Sequence, residues 1–267
     1  MRILINYLYQ YYPFTTATYY EAAFKRYPRA SVFRVGQDRV PCADIIVNIE
    51  PCGEIITYPT ATTCYIEIDN HIHRGKDVEK YNQVDHVFVA QKGYLPLYDQ
   101  TKTTWLPLAA DPEKHRYYKD EPLIYDVGFL GNDTYPRRGE LLDRIGKKYK
   151  LLRSTAQPGE EYSRKLSQCK MIFNCSMDND VNMRFFEAMS IGRLLLSDRV
   201  DGQDELAQSG KHYVSYADWT GLDWRINHYL KHEEEREKIA KAGAALVHAR
   251  HTYDDRVDTI METLHKY

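Results

Sequence analysis

Arg184 and Glu187 stand three residues apart in the run Asn182-Met183-Arg184-Phe185-Phe186-Glu187-Ala188-Met189-Ser190-Ile191-Gly192, just ahead of the largely apolar stretch Arg193 to Asp198. A guanidinium offers planar paired donors to a diphosphate, and a carboxylate one helical turn further on can accept hydrogen bonds from ribose hydroxyls. Asn182 heads the segment, where the free backbone N–H groups and dipole of a helix favour an anion. The same spacing also suits an ordinary Arg–Glu pair on a helix surface, which stabilises by only about 0.2–0.5 kcal/mol. Just upstream, Asp178-Asn179-Asp180 imitates a D-x-D motif, in which hard oxygen ligands hold a divalent ion, although a solvated acidic loop gives the same pattern.

A second group, Glu67-Ile68-Asp69-Asn70-His71-Ile72-His73, follows a β-branched run. Open α/β sheets bind ligands beyond the carboxyl ends of their strands, so Asp69 and His71 are candidates to take a proton from a hydroxyl. A turn with surface histidines fits the same residues. His71-x-His73 has no third ligand at a matching spacing, so no metal site is expected.

Both groups need strands to position them. Arg2 to Tyr7, Ser31 to Val35, Asp44 to Ile49, Thr63 to Ile68 and His86 to Ala90 read as strands, with a helix from Ala17 to Tyr27 that stops before Pro28. Charge and proline from Asp111 to Pro122 interrupt the pattern, which predicts two domains, 1–115 and 116–267. The second resumes with strands at Tyr125 to Leu130, Tyr149 to Arg153, Met171 to Cys175, Leu194 to Ser197 and His212 to Tyr216. Helices fall at Arg137 to Lys147, Glu160 to Gln168, Asn182 to Ser190 and Gly202 to Ala207, and Asp218 to Tyr267 reads as helical throughout. Near-continuous apolar strands alternating with helices indicate parallel sheets covered on both faces.

With 43% hydrophobic and 28% charged residues, the chain has the composition of an ordinary folded protein, which excludes a disordered or fibrous class. No apolar run reaches the roughly 18 residues of a spanning helix, and the start goes directly into a strand, so secretion is disfavoured. Five cysteines without a C-x-x-C pair argue for reduced thiols and a cytoplasmic setting. A formal net charge of -2 provides no global field for a nucleic-acid backbone.

The run from Asn182 to Gly192, followed by an apolar strand and Asp204-Glu205-Leu206, resembles the donor-site helix of GT-B glycosyltransferases, specifically the group 1 and spore-maturation CgeB-like proteins. Trp105-Leu106-Pro107-Leu108-Ala109-Ala110-Asp111-Pro112, Val127-Gly128-Phe129-Leu130-Gly131-Asn132 and His251-Thr252-Tyr253-x-x-Arg256 fit the same family, which extends the resemblance from about Cys64 to Arg256. The resemblance implies an α/β protein of two Rossmann-like domains facing across a cleft, the first on the acceptor side and the second holding a nucleotide-sugar. The terminal helices would pack back on the first domain. It also implies a metal-independent transferase with no cofactor, a UDP-sugar as the first choice of donor, and an acceptor the sequence does not identify.

Carried over by position, Glu187 would bind the ribose, Arg184 the diphosphate, and Asn182 the diphosphate or the transferred sugar. Gly128, Gly131 and the adjoining Asn132 would let backbone approach the donor. Arg137, Arg138 and Arg153 are secondary phosphate or base candidates, with a solvated surface role equally compatible. Retaining members often carry E-x7-E, and here Asn179 stands where the first glutamate would be, flanked by Asp178 and Asp180, either of which could supply a carboxylate near the sugar. Retention and inversion both stay open. The tyrosines Tyr7, Tyr9, Tyr11, Tyr12, Tyr19 and Tyr20 would fill the core or form a sugar-stacking platform. A non-catalytic nucleotide-binding protein and a DNA-base glycosyltransferase are the alternatives.

Overall fold

The computed structural model describes residues 1–9, 16–36, 42–73, 78–155 and 159–265. Tyr11 and Tyr12 lie outside them. The chain falls into two compact units, Met1–Leu108 with Tyr253–Tyr267, and Ala109–Thr252.

The first unit contains β1 (Arg2–Asn6), α1 (Thr16–Arg26), β2 (Ser31–Arg34), β3 (Ile45–Ile49), β4 (Thr62–Glu67), the short α2 (Asn70–His73), β5 (His86–Val89) and β6 (Thr103–Trp105). The strands form one parallel sheet in the order β2-β1-β3-β4-β5-β6. β3 is buried along its whole length, as expected of a strand covered on both faces. Edge strand β6 was not anticipated: Thr-Thr-Trp is too short and polar to show a strand pattern, and it forms because β5 offers it a ladder. Two 3-10 segments, Val78–Gln83 and Lys92–Leu97, replace longer crossover helices.

The second unit runs β7 (Tyr125–Leu130), α3 (Pro136–Lys148), β8 (Leu151–Ser154), α4 (Glu160–Ser167), β9 (Cys169–Asn174), α5 (Met183–Ser190), β10 (Leu194–Asp198), α6 (Gln203–Leu206), β11 (Val214–Tyr216), α7 (Trp219–Lys231) and α8 (Glu233–Arg250). Its parallel sheet has the order β11-β10-β9-β7-β8. Phe129, Phe173, Leu194 and Leu196 are fully buried in its core, where each apolar side chain contributes about 1.5–3 kcal/mol. The expected helical tail resolves into α7, α8 and α9 (Tyr253–Leu264). Asp218 caps α7 by accepting from the Gly221 N–H, and Glu233, Glu234 and Glu235 open α8 at its positive end. α9 belongs to the first unit: Tyr19 stacks on Tyr253 at 5.3 Å, Arg26 pairs with Asp254, and Arg256 donates to the carbonyls of Pro107 and Leu108. The Asp111 to Pro122 stretch is tied into the second unit, where Ser163 donates to the Lys114 carbonyl and the Tyr118 N–H donates to the Ser167 hydroxyl.

Both sheets are parallel, so each presents all its strand carboxyl ends along one edge. Strand order reverses between β1 and β3 in the first sheet and between β7 and β9 in the second. Such reversals open the crevices where α/β sheets take ligands.

Candidate functional site

At the β7/β9 reversal the strand ends meet two arginines. Arg184, in the first turn of α5, donates through Nη2 to the Leu130 carbonyl at 2.8 Å and through Nη1 to Asn174 Oδ1 at 3.2 Å. Its guanidinium lies 4.3 Å from the centre of the Phe129 ring. Asn174 is oriented for this by donating its own amide to Ser197 at 3.1 Å. Arg138, buried in α3, donates twice to the Cys175 carbonyl, at 3.0 and 2.6 Å, and once to the Asn132 carbonyl at 2.7 Å. Among the described residues neither arginine has a carboxylate within ion-pairing distance. Burial and the neighbouring Arg184 charge hold the Arg138 guanidinium below its usual value.

Two glycines explain how this geometry is reached. Gly131 has φ +150°, and a Cβ there would run into the Arg184 guanidinium, so the tight passage from β7 requires glycine. Gly192, at φ +75°, ends α5 in the left-handed conformation, its N–H bonded to the Met189 carbonyl. Gly128 answers to packing: a Cβ would meet Cys169 and Leu166 inside the unit.

Asn182 is the N-cap residue of α5, yet its side chain caps nothing; its amide nitrogen and oxygen are buried without a hydrogen-bond partner. Arg184 and Glu187 do not pair with each other. Glu187 is buried and turns the other way, accepting from the Tyr162 hydroxyl at 2.8 Å and lying 3.3 Å from His115 Nε2. Asp180 is buried and accepts from the Met177 N–H, and burial pushes its carboxyl up to about 6 despite nearby Arg138 and Arg184. Asp178 and Asn179 are left-handed at φ 55° and 66°, with Asn179 clasped to Asp201 by hydrogen bonds of 2.8 and 3.1 Å. Asn132 is exposed, and its side chain closes a local turn on Thr134.

The secondary arginines separate cleanly. Arg137 pairs with buried Asp198 at 2.7 Å, and Asp198 also accepts from the Ser176 N–H and hydroxyl, both at 2.8 Å. Arg153 pairs with Asp133 and Asp143 on the surface, at 2.7 and 2.6 Å. Sequence reasoning ranked Arg138 no higher than these two, and it overlooked Asn174, His115 and Tyr162. An asparagine closing a buried apolar strand was the available signal for Asn174; the other partners lie 25 to 75 residues from what they touch.

In the first unit, Asp69 and His71 follow β4 at the carboxyl edge of its sheet, Asp69 half-buried and His71 buried. The register Ile49↔Ile66 sets Glu50 and Glu67 at the ends of adjacent strands. Glu50 accepts from the N–H groups of Ile68 and Asp69, both at 2.7 Å, and Tyr81 donates to Glu67. Burial, reinforced by the Glu50 charge, pushes the Glu67 carboxyl up to about 7. The paired carboxylates appear only with the strand register.

A family model described as glycosyl transferase-like matches residues 124–262, more than half of the chain, including all five strands of the second sheet and the helices that carry Arg138, Arg184 and Glu187. The chain belongs to the glycosyl transferase-like family. Among solved structures, HepE from Anabaena, in complex with UDP and glucose, superposes over 100% of both chains at a TM-score of 0.72 and 12% identity. An α-glucosyltransferase in complex with UDP and a 13-mer DNA containing an HMU base aligns over 99% of both chains, with TM-score 0.71 and 9% identity. A glycosyltransferase from Rickettsia africae aligns over 99% of this chain and 98% of its own, with TM-score 0.66 and 9% identity. Comparison with curated proteins gives no match. This glycosyl transferase-like chain therefore has the GT-B fold of two Rossmann-like parallel-sheet units. None of its described helices is long and apolar enough to cross a membrane.

Proposed function

We propose that the protein transfers a glycosyl group from a UDP-sugar to an acceptor hydroxyl, with the donor held by the second unit and the acceptor by the first. The observation that carries this reading is the pair of guanidiniums at the β7/β9 reversal, whose hydrogen bonds among the described residues all go to neutral oxygens. A diphosphate beside Arg184 would supply the missing counter-charge, and Asn182 has an idle amide at the same helix start. The complexes of HepE with UDP and UDP-glucose support the choice of nucleotide.

In the reaction the bond from the anomeric carbon to the β-phosphate oxygen breaks, and its electron pair leaves with UDP. The acceptor oxygen bonds to the anomeric carbon and gives up its proton. Arg184, supported by Arg138, neutralises the charge that develops on the leaving diphosphate, a preorganised electrostatic effect that lowers the barrier. Glu187, one turn along α5, receives the ribose hydroxyls. Asp69 and His71 are the candidates for the acceptor's proton, with Asp69 the less buried of the two. An odd number of cysteines without a C-x-x-C pair supports a cytoplasmic setting.

Thermal-shift and calorimetric titration with UDP, GDP and ADP test the donor assignment: UDP is expected to stabilise the protein most, and no binding by any of them to the folded protein overturns it. Asn179, clasped to Asp201 where a catalytic glutamate would stand, favours one rival, a nucleotide binder without transfer. Release of UDP from UDP-glucose that rises with added acceptor hydroxyls excludes that rival. Asp69→Asn should abolish such release while leaving UDP affinity intact.

A further inference from the structure

Glu187 sits in a setting more specific than packing requires. Its carboxylate is buried, yet both neighbours are neutral donors rather than cations. Tyr162, on α4, donates its hydroxyl to Oε2 at 2.8 Å. His115 Nδ1 accepts the Asp111 N–H at 3.0 Å, which leaves the ring proton on Nε2, 3.3 Å from Glu187 Oε1. His115 is itself anchored: its carbonyl accepts the Ser190 hydroxyl at 2.6 Å, and its ring meets the Tyr162 ring edge-on at 6.0 Å.

A carboxylate has about four lone-pair directions; Tyr162 engages one on Oε2, and His115 Nε2 lies 3.3 Å from Oε1. Both oxygens are thus held between Tyr162 and His115, and among the described residues no lysine or arginine pairs with the carboxylate and no second donor is hydrogen-bonded to either oxygen. That is the arrangement suited to a pair of vicinal hydroxyls. Glu187 lies about 4.5 Å along the helix axis from Arg184, at 1.5 Å per residue, which is within the span between the diphosphate and the ribose of one nucleotide.

We infer that Tyr162 and His115 are positioning residues that hold the Glu187 carboxylate in the orientation that reads ribose hydroxyls, making the protein selective for ribonucleoside over deoxyribonucleoside diphosphates. The inference rests on the reading that Glu187 meets the ribose. A latch serving only to tie α4 to α5 would support stability without affecting this choice.

The test compares Kd values for UDP and 2′-deoxy-UDP by calorimetry in the wild type, Glu187→Ala, Tyr162→Phe and His115→Gln, with melting temperatures recorded in parallel. The wild type is expected to prefer UDP by about tenfold or more, since a site built around a hydroxyl leaves a buried acceptor unpaired when that hydroxyl is missing. Glu187→Ala should erase the preference. Tyr162→Phe and His115→Gln should each reduce it at least threefold, chiefly by weakening UDP while 2′-deoxy-UDP binds as before. If Glu187→Ala erases the preference while both partner variants keep the wild-type ratio, the inference is overturned and the ribose assignment stands. If Glu187→Ala keeps the ratio, or the wild type shows none, the ribose assignment itself fails. Should Tyr162→Phe not fold, His115→Gln decides the same question, because it leaves the α4 contact in place.

Discussion

The two sheet reversals of this molecule are closed in opposite ways. Between β1 and β3, Asn6 donates to Asn48 Oδ1 at 2.7 Å and to the Glu54 carbonyl at 2.8 Å, while Asn48 donates to the Ile56 and Cys64 carbonyls and accepts the Ile56 N–H. The amides satisfy one another and the main chain, with no charge left over. Between β7 and β9 the equivalent bridging is done by Arg138 and Arg184, whose hydrogen bonds go to carbonyl and amide oxygens, with the buried Arg184 Nε left without a partner and, among the described residues, no carboxylate at ion-pairing distance of either. Two copies of one architectural solution thus differ in a single respect. A neutral bridge finishes a structure, whereas a cationic bridge leaves a demand for an anion, and the nucleotide belongs where that demand is.

The comparison breaks most readily at Arg184. Arg184→Met keeps an apolar stem over Phe129 while removing the charge, and UDP affinity should fall about 100-fold, in the range found when a charge-assisted contact to a buried anion is lost. The melting temperature should hold or rise, because the substitution relieves repulsion with Arg138. A variant that binds UDP as the wild type does would remove the diphosphate from this reversal. At the other reversal the expectation is inverted: Asn48→Ala leaves buried partners unsatisfied and should cost about 2 kcal/mol in chemical denaturation, with UDP affinity unchanged. Loss of affinity there, in protein still folded, would mean the two bridges are not functionally distinct.

Gly131→Ala sharpens the same contrast without touching a charge. Its Cβ would displace the Arg184 guanidinium at a backbone conformation that side chains rarely adopt. About a tenfold loss of UDP affinity in titration is expected, whereas Gly131→Ala added to Arg184→Met should bind UDP little more weakly than Arg184→Met alone, since both act through one side chain. Additive losses would show that Gly131 contacts the nucleotide independently.

How far this contrast could be read from the sequence depends on distance along the chain. β7 emerges exactly where Tyr125 to Leu130 predicts it, and α5 within one residue, because buried apolar runs and a glycine stop are local signals. Arg184 and Glu187 stand out in the sequence through their spacing at a helix start and their fit to the donor-site helix of the family. Their partners were hidden: Leu130 is 54 residues from Arg184, and Tyr162 is 25 from Glu187. Spacing alone paired Arg184 with Glu187, but folding sends one toward the strand ends and the other beneath α4. Arg153 and Arg138 look alike in sequence; only the fold gives one a surface pair of carboxylates and the other a buried pair of carbonyls. Glu50 and Glu67 come together through strand register, which no local pattern encodes.

Asp180 gives the smallest effect and the finest test. Its buried carboxyl has a folded-state value of about 6, above the ordinary 3.8, so between those values the folded chain holds a proton that the unfolded chain has released. Stability from this group is therefore full at or below about pH 4 and is lost as the pH rises through 6. Asp180→Asn removes the titration, so its stability relative to the wild type should rise by about 2 kcal/mol between pH 4.5 and pH 8. The ionised carboxylate also shares the field of Arg138 and Arg184 with any incoming diphosphate. UDP should accordingly bind the variant a few-fold more tightly at pH 8 and no differently at pH 5, where the wild-type group is already largely neutral. An affinity gain that is equal at both pH values would detach Asp180 from the cationic bridge and make its burial a matter of loop packing alone.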